Sequence, residues 1–435
     1  MKRLLLAAVA ASCLAGTAHA QDADLRAAIQ ADYDRNLAQL FEHFHRNPEL
    51  SGLEHMTAAR LAQELTALGY EVTTGVGGTG VVAVLRNGDG PTVLMRADMD
   101  GLPLEEQSGL AYASEARQTN SEGVEQPVMH ACGHDVHITA LVGAARQMIE
   151  NRDTWSGTLV LVGQPAEERI FGARAMIEDG LYERFPRPDY ALAFHVSADA
   201  PAGQIQVPLN IVASSSDSVD ITVHGVGTHG AYPHLGVDPV VVASHIVVAL
   251  QSVVTRDINP LEGAVITVGS IHGGVKHNII SDRVDLQITV RSDNPEVREQ
   301  LLSGIERVAR GTALALGVPE DMLPTVTRSA TETTPPTIND PETAQRVRDA
   351  ITAHMGADRL IQSPRTGMGA EDFAYFVTPE SGVRGVYMDV GGTLPEDLED
   401  APGHHSPFFR IEPEPSVTAG VEAMVVAARA LMPRT

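Results

Sequence analysis

Leu61, Leu65 and Leu68 recur at the three-to-four spacing of one helix face across residues 57–70, and Gly69 stands where a helix C-terminus favours glycine. The pattern then shortens. Residues 81–85 form an apolar, β-branched run, Asn87-Gly88-Asp89-Gly90 is a turn, and Val93-Leu94-Met95 resumes a strand. Residues 158–162 and 190–194 are further apolar runs without polar alternation, as expected of strands buried on both faces of a parallel sheet. Helical stretches at 139–150 and 173–178 lie between them, and this alternation predicts an α/β sandwich with a mixed, largely parallel sheet. Asp98, Glu167-Glu168 and His195 each follow directly on an apolar strand. In open α/β sheets the carboxyl ends of the strands form the ligand crevice, so the strand pattern already places acidic and imidazole side chains at one rim.

Beyond Pro208 the texture changes. Strands are expected at 220–223, 264–268, 284–290 and 325–328, with a long apolar helix at 239–254 and an amphipathic one at 296–316. This β-α-β-β-α-β order predicts a ferredoxin-like insert over residues 209–330. The Thr331-Glu332-Thr333-Thr334-Pro335-Pro336 segment is read as the hinge back into a catalytic domain built from 21–208 and 331–435, with a last strand at 385–390.

Composition narrows the class. Met1-Lys2-Arg3, a short apolar run and Ala18-His19-Ala20 match a secretory signal peptide over residues 1–20, too short to span a bilayer. Cleavage there leaves Cys132 as the sole cysteine and implies a periplasmic or secreted product without a membrane anchor. No later segment is read as transmembrane. The net charge of −25 disfavours nucleic acid and anionic membrane surfaces as partners.

The densest chemistry lies in Met129-His130-Ala131-Cys132-Gly133-His134-Asp135-Val136-His137, with Glu167-Glu168, His195 and His404-His405 as further donors. One histidine alone is an ordinary hydrogen-bonded residue, but these clusters together offer the thiolate, imidazole and carboxylate ligands of a zinc or manganese site. Gly133 lets Cys132 and His134 face one point, while Asp135 and His137 are placed to orient a ligand. Adjacent glutamates point apart, so one can bind metal while its neighbour acts as general base. His229 and His234 fall in the insert and reach substrate only if it closes over the crevice or a partner subunit supplies it. Arg291 suits a substrate carboxylate or an ion pair with Asp293.

In sequence order, Arg96-Ala97-Asp98-Met99-Asp100-Gly101-Leu102-Pro103, the 129–137 run, Gln164-Pro165-Ala166-Glu167-Glu168, the 229–239 segment, Gly369-Ala370-Glu371-Asp372-Phe373 and His405-Ser406-Pro407 resemble the amidohydrolase/carboxypeptidase branch of the co-catalytic metallopeptidases. That branch holds hippurate hydrolases, N-acyl-amino-acid amidohydrolases and indole-acetyl-amino-acid hydrolases, and the resemblance runs from about Leu40 to Phe409. It implies a zinc-peptidase-like catalytic domain with an inserted lid/dimerisation domain, and two divalent ions (zinc or manganese) on Cys132, His134, Glu168, His195 and His405. It further implies Glu167 as general base, His229 as oxyanion stabiliser (often from a neighbouring subunit), Asn278 and Arg291 as substrate-holding residues, and Asp98 as an orienting group. The implied reaction is hydrolysis of the amide of an N-acyl-amino acid by a homodimer or higher homo-oligomer.

The chain departs from the wider superfamily at Arg96, where a histidine ligand is usual, at Phe171-Gly172, where a glycine pair is usual, and in Asn278-Ile279-Ile280-Ser281-Asp282, which lacks the proline usual before the aspartate. His404 has no role in the resemblance. Three alternatives remain open: a dipeptidase or aminopeptidase of the same metal class, a cysteine hydrolase using Cys132 with His134 or His137, and a non-catalytic periplasmic metal- or solute-binding protein.

Overall fold

A computed structural model describes residues 24–434, so the segment read as a signal peptide lies outside the described residues. The chain divides into two compact units, the first running up to Asn210 and resuming over Ile338–Pro364 and from Tyr375 on, the second comprising Ile211–Thr337 and Arg365–Ala374.

The first unit is built on a seven-stranded sheet whose spatial order is Glu71–Val76, Gly80–Asn87, Gly157–Gln164, Thr92–Asp98, Tyr190–Pro201, Arg384–Thr393 and Ile205–Gln206. The four strands from Gly157–Gln164 to Arg384–Thr393 run parallel, and the remaining pairs are antiparallel. Leu192, Phe194 and Val196 alternate into a core shared with the helices His134–Glu150 and Pro413–Leu431. Register carries this pattern to the rim: Asp98 lies beside Gln164, and His195 beside Asp389.

The His134–Glu150 helix begins five residues earlier than the apolar pattern predicts. Its first turn consists of buried His134, Asp135 and His137, which carry no hydrophobic signal because they serve the site. Gly133 caps it at φ 84, and a Cβ there would come within 2.3 Å of Val196 Cγ1, so only glycine admits this approach.

In the second unit four antiparallel strands lie in the order Ala264–Gly273, Arg283–Ser292, Ser216–His224 and Thr325–Thr334, with the helices Pro239–Ser252 and Pro295–Ala315. This is the ferredoxin-like order expected of the insert. Both helices open with proline behind a capping side chain. Asp238 accepts from the N–H groups of Val240 and Val241, and Asn294 accepts from those of Glu296 and Val297.

The hinge expected at 331–336 is a correction. Thr333 and Thr334 pair with Asp217 and Ser216, so the strand continues to Thr334 and is stopped only by Pro335-Pro336. The segment Arg365–Ala374, with the Gly369–Phe373 motif, also belongs to the second unit rather than to the C-terminal half of the first. Pro239–Asp257 is apolar and long enough by length and composition to cross a bilayer, which the sequence reading passed over. Here Val242, Ala243, Ile246 and Leu250 bury one stripe of it against the sheet, as in a core helix.

Candidate active site

Strand ends and two tight turns gather most of the expected residues at the rim of the first unit's sheet. Ligand atoms of Cys132, His134 and His195 lie within 4.8 Å of one another, as do those of Cys132, Glu168 and His405, and those of His134, Glu167 and Glu168. The three groups share members, so Cys132, His134, Glu167, Glu168, His195 and His405 form one continuous cluster. Cys132 Sγ is 3.3 Å from His195 Nε2, and His405 Nε2 is 3.3 Å from Glu168 Oε2. His134 Nε2 stands 3.9 Å from Glu167 Oε2 and 4.0 Å from Glu168 Oε1.

Local geometry explains how each side chain arrives. His134 is aimed by its Nδ1–H, which donates to the Asp100 carbonyl at 2.8 Å and leaves Nε2 toward the glutamates. His195 is fixed in the same way, its Nδ1 lying 2.7 Å from the Val196 carbonyl oxygen. His405 adopts φ 61, which a non-glycine residue avoids, and its N–H donates to the Ala131 carbonyl at 2.9 Å. The glutamate turn bends between Ala166 (φ 50) and Ile170 (φ 53), and it closes on Gly172, where a Cβ would sit 1.5 Å from the Pro165 carbonyl oxygen. Phe171-Gly172 therefore retains the one glycine the turn requires.

Asp98 groups with His137 and with His134, the member it shares with the Cys132 cluster, their ligand atoms lying within 4.8 Å of one another. Its Oδ1 accepts from His137 Nδ1 at 2.6 Å and its Oδ2 from Arg96 Nη1 at 2.6 Å. His137 Nε2 in turn accepts the Val196 N–H at 2.9 Å, which fixes the tautomer and couples the helix to the strand carrying His195. Arg96, buried where the wider superfamily has a ligand, is thus an ion-pair partner of Asp98. Burial alone would push the Asp98 carboxyl up, but Arg96, His134 and His137 outweigh it and hold it well below the usual range. His404, without an expected role, accepts the Ala198 N–H at 3.2 Å and packs on Phe409, anchoring the turn that presents His405.

The site asks for positive charge. Burial, with Glu168 and Glu167 nearby, pushes the Cys132 thiol well above its ordinary pKa. His134 Nε2 and Glu168 Oε1 are buried without a hydrogen-bond partner. Orphaned donors beside clustered carboxylates and a thiol suit divalent cations, which would draw off the thiol proton and satisfy both atoms. The donor set therefore fits the expected ions.

His229, Asn278 and Arg291 lie in the second unit. His229 pairs with Ile279 in a two-stranded ladder, and the Gly230 N–H donates to the Asn278 carbonyl at 2.8 Å, so His229 and Asn278 are neighbours there. The Ala231 N–H donates to His229 Nδ1 at 3.0 Å, leaving Nε2 to carry the proton of the neutral ring. Asp293, the expected alternative partner of Arg291, instead accepts from Ser214 Oγ at 2.6 Å and from Arg365.

The model of peptidase family M20/M25/M40 matches residues 94–430, which span the strand ends, the ligand cluster and the His405 turn. The chain belongs to this family. The M20 chain is similar to the N-acetyl-L-cysteine deacetylase of Bacillus subtilis, 36% identical over 349 residues (79% of this chain, 78% of the relative). It is also similar to the hippurate hydrolase of Campylobacter jejuni, 35% identical over 349 residues (80% and 85%). Among solved structures it resembles the Bacillus subtilis YXEP protein, described as a dinuclear metal-binding peptidase of the M20 family, with a TM-score of 0.75 and 26% identity over 93% of this chain and 99% of that one. This M20 protein is accordingly a metal-dependent hydrolase of the amidohydrolase/peptidase class, carrying a ligand cluster for two divalent ions.

Residues missed by the sequence reading include Glu54, Asp100 and His45. Asp100 had a signal, alternating with Asp98 at a strand end. Glu54 stands just before the His55–Ala67 helix and His45 is one of several polar residues in Ala38–Arg46, and nothing local marks either for the site.

Proposed function

We propose that this M20 protein hydrolyses the amide bond joining an acyl group to an amino acid. The observation that carries the reading is an asymmetry between the twin glutamates: Glu168 Oε2 stands 3.3 Å from His405 Nε2, and Glu168 also shares His134 Nε2 with Glu167, which lies 3.9 Å from that nitrogen. When bound, two ions, zinc or manganese, supply Lewis acidity to a carbonyl and lower the pKa of water toward ~7. Cys132, His134, Glu168, His195 and His405 hold them, and Asp98 keeps His137 and the helix start in place. Glu167 takes the proton of the attacking water and delivers it to the leaving nitrogen. His229, protonated on Nε2, donates to the developing oxyanion, a contact whose loss typically costs about a hundredfold in rate. Asn278 and Arg291 hold the substrate carbonyl and carboxylate.

The acyl-amino-acid substrate class is supported by the names of the deacetylase and the hippurate hydrolase, and by the guanidinium of Arg291 in the second unit, whose charge and shape suit a carboxylate. The peptidase name of the solved relative supports dipeptides as the rival class. We further propose that residues 1–20 direct secretion to the periplasm or beyond. A homo-oligomer formed through the insert, supplying His229 in cis or in trans, is supported by the edge strand Ala264–Gly273 and by exposed Val241 and Val248.

The test is an ion-reconstituted assay on N-acetyl, N-benzoyl and N-indolylacetyl amino acids alongside dipeptides. Turnover confined to dipeptides rejects the acyl-amino-acid reading. Glu167→Gln with its full complement of ions should be inactive, and native turnover by that variant rejects the base assignment.

A further inference from the structure

The backbone that presents Glu167 and Glu168 is held in a shape that L-residues resist. Ala166 and Ile170 flank the pair at positive φ, and with His405 they are the non-glycine residues of that kind among the described residues. Such a conformation is disfavoured for an L-residue and persists only where surrounding contacts over-determine it. From within, the Ala166 carbonyl accepts the N–H groups of Phe171 and Gly172 at 3.3 and 3.2 Å.

From outside, two carboxylates remote in sequence hold the turn on either side of Glu167. Glu54, 0% exposed, accepts the Ala166 N–H on Oε1 at 2.8 Å and the Gly52 N–H on the same oxygen at 2.7 Å. Its Oε2 accepts the Thr79 hydroxyl at 2.5 Å. Asp100 Oδ2 accepts the Glu168 N–H at 3.0 Å and the Ser51 hydroxyl at 2.6 Å. The amides before and after Glu167 are thus each tied to a different buried acid. All three hydrogen bonds to Glu54 come from neutral donors. Burial, with the Asp100 charge close by, pushes its carboxyl up to about 7. A buried acid is a costly way to satisfy one turn of backbone, and here it is spent on the segment that carries the reacting carboxylate.

We propose that Glu54 is a positioning residue for the hydrolysis: with Asp100 it clamps the amides that flank Glu167 and so aims that carboxylate. The inference rests on the reading of Glu167 as base. A misplacement of about 1 Å in a catalytic group can cost on the order of a hundredfold in rate. Losing the clamp therefore acts on kcat rather than on substrate affinity.

The experiment measures kcat, KM and bound ions for Glu54→Gln, Glu54→Leu and Glu54→Asp, with Glu167→Gln as comparator. Glutamine can keep its carbonyl oxygen on both N–H groups and turn its amide to the Thr79 hydroxyl oxygen, so Glu54→Gln should retain kcat within about threefold. Glu54→Leu should lose at least about tenfold in kcat, with KM within about threefold and both ions retained. Glu54→Asp keeps the charge but withdraws the carboxylate by one methylene. It should show the same kcat loss, and it stands in for Glu54→Leu if that chain does not fold. Native kcat in Glu54→Asp, kcat loss that tracks ion loss, or Glu54→Gln as impaired as Glu54→Leu would each overturn the clamp. An active, fully loaded Glu167→Gln removes the base assignment and this inference with it, whereas an inactive one beside a fully active Glu54→Leu removes the clamp alone.

Discussion

His137 donates from Nδ1 to Asp98 at 2.6 Å while its Nε2 accepts the N–H of Val196 at 2.9 Å. One neutral ring therefore ties the first turn of a helix to the carboxyl end of the Thr92–Asp98 strand and to the middle of Tyr190–Pro201. Burial pushes this histidine down to about 3 despite Asp98, so it stays neutral across the working range. His137→Leu leaves a buried carboxylate oxygen and a buried N–H unpaired. Each orphan costs about 1–3 kcal/mol, and chemical denaturation should register a loss on the order of 2–4 kcal/mol. A loss under about 1 kcal/mol contradicts the pairing.

His45 gives a pH-dependent contribution that can be isolated. Its Nδ1 lies 2.7 Å from Asp135 Oδ2 and its Nε2 3.1 Å from Glu106 Oε1, with Tyr112 edge-on at 4.9 Å. Burial opposes its charge, but the two carboxylates prevail and raise its pKa to about 9. A raised folded-state pKa stabilises fully below the unfolded value of ~6.5, and that contribution is lost as pH climbs through about 9. Unfolding free energy should fall between pH 6.5 and 9.5 by an amount on the order of 3 kcal/mol at most. In His45→Gln this part of the decline should be missing, and parallel profiles for the two proteins would exclude it.

Removal of the ions separates the metal reading from a thiol nucleophile. Dialysis against a chelator should abolish turnover, and zinc or manganese should restore it and raise Tm through binding to the folded state. Cys132→Ser should bind fewer ions per chain, by elemental analysis. Activity that survives chelation and dies on alkylation of the ion-free thiol would identify a cysteine hydrolase instead.

Gly172→Ala probes the glutamate turn. The added methyl would occupy the place of the Pro165 carbonyl oxygen, so the backbone must move. Turnover should drop by at least about a hundredfold. A variant with native kcat would mean that the turn tolerates another shape.

Asp238→Ala removes the acceptor for the Val240 and Val241 amides at the start of Pro239–Ser252. Loss of such a cap costs about 1 kcal/mol, which thermal denaturation should report as a lower Tm.

Much of this was legible in the chain. Apolar runs mark the parallel strands because both their faces are covered, and Asp98 and the glutamate pair at or after their ends mark the rim, whereas His195, expected after a strand, lies inside Tyr190–Pro201. Capping proline signatures were equally available, yet Asp340-Pro341 passed unread. There Asp340 accepts the Thr343 N–H and opens a helix to Met355. The start at His134 was hidden because hydrophobic periodicity cannot register polar residues buried for chemistry. Glu54, His45 and Asp100 act through hydrogen bonds whose decisive partners (Ala166 and Thr79, Asp135 and Glu106, Ser51 and Glu168) are remote in sequence, and only the fold brings them near. The reach of the strand past residue 330 was missed because Thr331–Thr334 carries no apolar alternation, its pairing being secured by Asp217 with Thr333 and Arg298.

His405 docks on the Ala131 carbonyl across more than half of the polypeptide, and the Arg384–Thr393 strand completes the sheet from the same late stretch. During synthesis the insert, nearly continuous in sequence, emerges while its host still lacks the Arg384–Thr393 strand and the His405 side chain. On the proposed ligand set, a chain released before residue 405 lacks one donor of the ion centre and should not assemble it.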